Sequence, residues 1–147
     1  MRTLFLPLLA ISAIGLPAAA QTQSPQHGVR TGNILFTYTG EVLPGQDAAF
    51  KQLVQKVIAA VEKEPGTMAY EWSMRADGKT FDVVEIYQDS NAVVAHVNDV
   101  VSNFGDELGK TQKTLKLVVY GNPNAEAKKA IEGLHPEYET PFGGFVR

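Results

Sequence analysis

EPGTMAYEWSMRADGKTFDVVEIYQDSNAVVAH, residues 64–96, decides the fold. Glu64-Pro65-Gly66 stops a helix, Thr67–Arg75 and Thr80–Tyr87 are rich in β-branched and aromatic residues, and Asp77-Gly78 stands between them. Asp-Gly between two such runs predicts a hairpin, because the two-residue turn it favours needs positive φ at both positions, which Asp and Gly tolerate. With that pair as the loop, Ala76 faces Lys79, and counting outward sets Met74 against Phe81, Trp72 against Val83, Tyr70 against Glu85 and Met68 against Tyr87. Alternate residues of a strand share a face, so this side of the hairpin is apolar and aromatic except for Glu85. The other side carries Ala69, Glu71, Ser73, Arg75, Thr80, Asp82, Val84 and Ile86, a mixed surface suited to solvent or to a subunit contact, where Glu71, Arg75 and Asp82 either pair across an interface or stay solvated.

The apolar side needs a cover, and the helix that follows is the nearest one. Ser90 caps it, with Asp89 near its positive end, and Ala92, Val93, Val97 and Val100 form its buried stripe with His96 at the edge. Laid on the hairpin, that helix brings His96 against Tyr70, Trp72, Glu85 and Tyr87, which makes this wall the candidate site. Gly105 and Gly109 predict an irregular continuation over Asn103–Gly109, from which Phe104 reaches back toward the site.

Working outward, Asn33–Val42 alternates as a first strand, with Ile34, Phe36 and Tyr38 on one side and Leu35, Thr37 and Thr39 on the other. Apolar residues on both sides predict a central strand. From Gln46 to Lys63, Phe50, Leu53, Val54, Val57, Ile58 and Val61 recur at helical steps. Thr114–Tyr120 is a fourth strand, Asn124 caps a short helix over Ala125–Leu134, and the tail ending in Phe145-Val146 is expected to pair with an open strand edge. The order predicts an α+β, ferredoxin-like βαββαβ domain with a C-terminal helix and tail, a four-stranded antiparallel sheet with both helices on one face. Its bare face is expected to join a second copy, giving a dimeric α/β-barrel.

Composition bounds the rest. The chain has 147 residues, no cysteine and a formal charge of −3, with 44% hydrophobic residues, so one ordinary domain is expected. Scattered basic residues and mild acidity point away from nucleic acid. Residues 1–20 read as a secretory signal, with Arg2, an apolar run over Leu4–Leu16 and Ala18-x-Ala20 for cleavage. That run is short of the roughly 20 residues that span a bilayer and contains Pro7. Residues 21–32 are then a polar leader, residues 33–147 the domain, the location periplasmic or secreted, and no membrane contact is expected after signal removal. Three isolated histidines and no cysteine provide no metal spacing. No phosphate loop or serine elbow is present in the sequence.

EPGTMAYEW, VVEIYQDSNAVVAHV, VVYGNP and the closing PFGGFVR together resemble the antibiotic biosynthesis monooxygenase superfamily, including its quinol monooxygenases, over residues 33–147. The resemblance implies a dimeric ferredoxin-like domain and, in members with known chemistry, oxidation of phenols or quinols by dioxygen without metal or flavin. Other branches degrade haem or isomerise small molecules. Cofactor-free oxygenation needs a base near neutral pH in an apolar, water-poor pocket, so that a deprotonated substrate can pass an electron to dioxygen. His96 is the candidate base, since imidazole titrates nearest neutrality when unperturbed. Glu85 is its candidate partner or a hydrogen-bonding group for substrate, and Tyr70, Trp72, Tyr87, Phe36 and Phe104 are candidate aromatic walls. The expected function is an exported cofactor-independent monooxygenase acting on a small aromatic or quinol. A structural reading stands beside it: His96 as a hydrogen-bonded core residue, and Glu85 as a buried carboxylate accepting the phenol proton of Tyr70. The alternatives are a non-catalytic small-molecule binding module of the same fold, or haem binding through His96, against which stands Tyr87 where the haem-degrading branch has tryptophan.

Overall fold

The structure is a computed structural model and describes residues 32–143. The signal segment, nearly all of the leader, and Phe145-Val146 lie outside the described residues. The elements are β1 (Ile34–Val42), α1 (Asp47–Val61), β2 (Thr67–Met74), β3 (Thr80–Tyr87), α2 (Ser90–Thr111), β4 (Gln112–Tyr120), α3 (Ala125–Ile131), a 3-10 turn over Glu132–Leu134 and β5 (Glu137–Glu139). The strands form one sheet in the order β2-β3-β1-β4-β5. β1 is central as expected and antiparallel to both its neighbours, while β5 adds a short parallel edge to β4. This fifth strand, set by Val118 facing Glu137, is the part of the tail that takes up the open edge. No helix among the described residues is long and apolar enough to cross a membrane.

All three helices lie over one face, and the reason is the sheet's alternation. Val42, Phe81 and Val83 meet Phe50 and Val54 of α1, while Ile34, Phe36, Tyr87, Leu117 and Val119 meet Val93 of α2 with Ala127 and Ile131 of α3. The α1 stripe read from the sequence is the buried one, through Phe50, Leu53, Val54, Val57 and Val61. Helix α2 runs between the other two.

Four local expectations are corrected. The hairpin turn has positive φ at Gly78 alone, at +72°, and is closed by Gly78 N donating to Arg75 O at 3.0 Å, so it is centred on Ala76-Asp77 rather than on Asp77-Gly78. Asp77 instead folds its carboxylate back onto Lys79 N at 3.0 Å, Thr80 N at 2.8 Å and Thr80 Oγ1 at 2.6 Å, so side-chain capping replaces the second strained residue. The pairing holds from Met74–Phe81 through Tyr70–Glu85, then shifts: Thr67 faces Tyr87, Ala69 faces Ile86, and Met68 is the extra residue, 49% exposed. A bulge of this kind bends its strand. Second, the α2 cap is Asp89, which accepts from Ala92 N at 2.9 Å, while Ser90 Oγ accepts from Asn124 N at 3.0 Å and ties the start of α3 to α2. Third, α2 is unbroken for 22 residues, through Gly105 and Gly109. Tertiary packing outweighs the roughly 1 kcal/mol that each glycine costs a helix. Fourth, β4 starts at Gln112, directly after the helix, rather than at Thr114.

Gly66 is where the bulged loop touches α2. A Cβ added there would sit 2.5 Å from the Ala92 Cβ. Gly66→Ala should therefore lower stability by about 1–3 kcal/mol, the usual range for overpacking. Urea unfolding checks this, with a shifted midpoint and unchanged slope expected; an unshifted midpoint would mean that loop and helix do not touch.

Candidate functional site

Between α2 and the helix-covered face of the sheet lies a chamber of about 270 Å³. Phe36, Tyr70, Trp72, Glu85 and His96 all line it, so five of the residues proposed from the sequence come together in one wall. Tyr87 is fully buried just behind: its ring lies 5.2 Å from the imidazole, and its hydroxyl donates to Glu85. Tyr70, the phenol bound to Glu85 in the structural reading, instead meets His96 edge-on with ring centres 5.4 Å apart. Phe104 does not join the chamber. The unbroken α2 holds it against Leu53, Val57 and Val61, the α1 side, where it lines a different groove.

Residues not anticipated complete the chamber. Gly105 and Gly109 line it, and the missing side chains there widen it under α2. At another part of its wall the Tyr38 hydroxyl donates to Gln112 Oε1 at 2.8 Å and lies 2.9 Å from Thr114 Oγ1. The alternation of β1 marked Tyr38 as inward-facing, but its partners depend on where β4 begins. Ile131 and Leu134 from the C-terminal helix also line the chamber.

His96, 5% exposed, sits between two carboxylates. Its Nδ1 is 2.9 Å from Glu64 Oε2, and its Nε2 is 3.7 Å from Glu85 Oε2. Glu64 comes from the loop after α1, and its Oε2 also accepts from Thr67 Oγ1 at 2.5 Å. Reading Glu64 only as the end of a helix missed it, since nothing local marks that it reaches a residue 32 positions away. An Nδ1–H donated to a carboxylate fixes the ring's orientation and leaves Nε2 toward the chamber.

Electrostatics separate the groups further. Burial pushes the Glu85 carboxyl above its ordinary value; the nearby imidazole and the Tyr87 hydroxyl pull it back down, and the Glu64 carboxylate adds a smaller upward push. Burial, reinforced by Glu85, also raises the phenols of Tyr70 and Tyr87, so both are neutral donors at physiological pH. The site can hold an aromatic ring among Phe36, Tyr70 and Trp72 and exchange a proton with it through Nε2. Among the described residues, no group of three His, Cys, Asp or Glu side chains is arranged to hold a metal ion.

The family model described as antibiotic biosynthesis monooxygenase matches residues 36–100, which include Tyr70, Glu85 and His96. MupZ from Pseudomonas fluorescens has a similar structure, at 20% identity with a TM-score of 0.69, covering 79% of this chain and 95% of that one. A candidate antibiotic biosynthesis monooxygenase from Caulobacter crescentus is similar at 25% identity, TM-score 0.53, covering 60% and 86%. SnoaB, a cofactor-independent oxygenase from Streptomyces nogalater, shares the fold at 12% identity, TM-score 0.55, covering 64% and 96%. No curated protein matches the chain.

The raised Glu85 carboxyl has a consequence for stability against pH. A group that holds its proton more tightly folded than unfolded contributes stability fully below its ordinary value, 4.5 here, and loses it as pH rises through the raised one. Asp77 and Asp82, held below the ordinary range by hydrogen bonds, act with the opposite sign and lose their contribution only in acid. Glu85→Gln should therefore match the wild type in melting temperature near pH 4 and exceed it by several degrees at pH 8. Thermal unfolding across that range checks it, and equal melting temperatures at pH 8 would count against a buried charge.

Proposed function

Because the chain belongs to the antibiotic biosynthesis monooxygenase superfamily, in which some members work as monooxygenases without a cofactor, we propose that it is an exported, cofactor-independent monooxygenase. Its substrate is a small aromatic or quinol, and His96 is its base. The observation that carries this reading is a buried imidazole, one nitrogen taken by Glu64 and the other turned toward an apolar chamber walled by aromatic rings. The chamber, at about 270 Å³, is at the lower edge of the roughly 300–1,000 Å³ usual for small-molecule sites. That favours a substrate of one or two rings.

The chemistry follows from the groups present. Nε2 takes the hydroxyl proton of a phenol or quinol, leaving an anion that is electron-rich at a ring carbon bearing hydrogen. The anion passes one electron to dioxygen, and the resulting superoxide and substrate radical join as a carbon-bound peroxide. Nε2 returns a proton to that peroxide, and loss of water leaves one oxygen atom on the ring as a new carbonyl. One dioxygen is consumed, one water is released, and no further reductant is required. The apolar lining of the chamber favours the step, because water would stabilise the anion and hold back the electron.

Export rests on the signal-like residues 1–20 and places the protein in the periplasm or outside the cell. A homodimer rests on the sheet face turned away from the helices. Val84 is 39% exposed there, with Leu35, Ala69 and Ile86 only half-buried nearby. Arg75 and Asp82 on that face are paired within the chain, at 2.8 Å for each of two nitrogens, with Thr39 donating to Asp82 at 2.7 Å.

Two measurements test these readings. His96→Ala should lower kcat/KM for oxygen uptake by about 100-fold or more, the lower end of what a positioned base supplies, across a panel of reduced benzoquinones and naphthoquinones. Undiminished turnover removes His96 as base, whereas ligand-dependent thermal stabilisation with no oxygen uptake by the wild type would mark a binding module. Val84→Lys should convert the dimer to monomer in sedimentation; an unchanged dimer would place the contact elsewhere.

A further inference from the structure

The His96–Glu64 hydrogen bond is a wall between two spaces. His96 lines the apolar chamber, whereas Glu64 does not; it lines a wide outer groove of about 1060 Å³ between the end of α1 and α2. That groove is open to solvent and is edged by Lys63, Asp89, Ala95 and Asp99. The two nitrogens of one imidazole are thus joined to different surroundings, Nε2 to the chamber and Nδ1 to the groove by way of one carboxylate.

We propose that Glu64 is the proton relay that connects the buried imidazole to solvent through this groove. The inference rests on His96 being the base described above. When Nε2 takes a proton from the substrate, Nδ1 gives its own to Glu64, which releases it into the groove. When Nε2–H later protonates the peroxide, Glu64 reloads Nδ1 from the groove. One proton leaves and one returns, and the ring ends in the tautomer from which it began.

The other groups facing the imidazole do not supply such a route. Glu85 reaches Nε2 but receives the hydroxyl of Tyr87, which is fully buried, so a proton on Glu85 stays inside. Tyr70 and Tyr87 meet the ring with their aromatic faces and edges. Glu64 differs in the division of its two oxygens. Oε2 accepts from both His96 and the hydroxyl of Thr67, and Thr67 itself lines the groove, while Oε1 is buried with no hydrogen-bond partner in the protein. In this role Glu64 is a positioning residue that acts through His96 and does not touch the substrate.

The test uses the ligand-free protein with ¹⁵N-labelled histidine and reads exchange of the His96 Nδ1–H with water by NMR. Glu64→Gln can still accept from Nδ1 but cannot carry a proton, so the Nδ1–H signal should remain and its exchange should slow at least tenfold. Ala95→Trp, which places a large side chain at the groove, should slow exchange severalfold and decides the matter if Glu64→Gln does not fold. Unchanged exchange in the variant that decides, or a wild-type ring with no proton on Nδ1, overturns the relay. With 1,4-naphthoquinol as probe, Glu64→Gln should also lower kcat while KM stays put. The exchange measurement involves no substrate, so it can fail while His96 remains the base, and it can succeed even if His96→Ala leaves turnover intact.

Discussion

A carboxylate buried beneath a helix is the constraint around which the interior is arranged. Glu85 is the one acid on the helix-covered face of the sheet among the described residues, and it is only 7% exposed. An unpartnered charge there would be strongly destabilising. The structure surrounds it with a phenol from its own strand, Tyr87, and an imidazole from α2, His96. The imidazole is in turn held by Glu64, and Glu64 by Thr67. Each polar group in this line is supported by the next, and the line runs from the centre of the sheet to the surface loop after α1. Polar chains of this kind specify geometry more sharply than apolar packing does, because a half-satisfied member is costly.

The same helix that closes over Glu85 also leaves room beside it. Helix α2 packs tightly near its start, where Val93 is fully buried, and then passes over the chamber with two glycines in its wall. Chamber and core are therefore one packing arrangement. The aromatic residues that fill the neighbouring space, Phe50 tilted against Phe81 at 4.7 Å and Trp72 stacked on Phe81 at 5.3 Å between ring centres, stiffen the wall on the α1 side. The wall is therefore packed on the α1 side and, at Gly105 and Gly109 of α2, lacks side chains on the other.

In the oxygenation proposed above, a base at His96 stands between an apolar chamber and an open groove, which separates two competing demands. The anion of the substrate needs a dry setting, while the proton taken from it needs somewhere to go. An imidazole can meet both demands because its two nitrogens are chemically coupled and point in different directions.

The sequence alone was enough to establish the first four strands, the three helices and their order, because that information is local or periodic, though not the fifth, parallel strand over Glu137–Glu139. The alternation of β1 and β3, the helical stripe of α1 and the turn residues at Asp77-Gly78 each report a nearby physical requirement. They sufficed to bring Phe36, Tyr70, Trp72, Glu85 and His96 to one wall. Even the hairpin pairing came out correctly as far as Tyr70, although the turn reaches it by a capped Asp77 rather than by two residues of positive φ. What only the tertiary structure decided are the relations that depend on long-range approach. These are Glu64 meeting His96, Tyr87 rather than Tyr70 donating to Glu85, Phe104 turning to α1, and α2 continuing through its glycines. Each is set by which surfaces are pressed together once the helices settle on the sheet, and that energy belongs to contacts between distant segments that no local pattern of residues records.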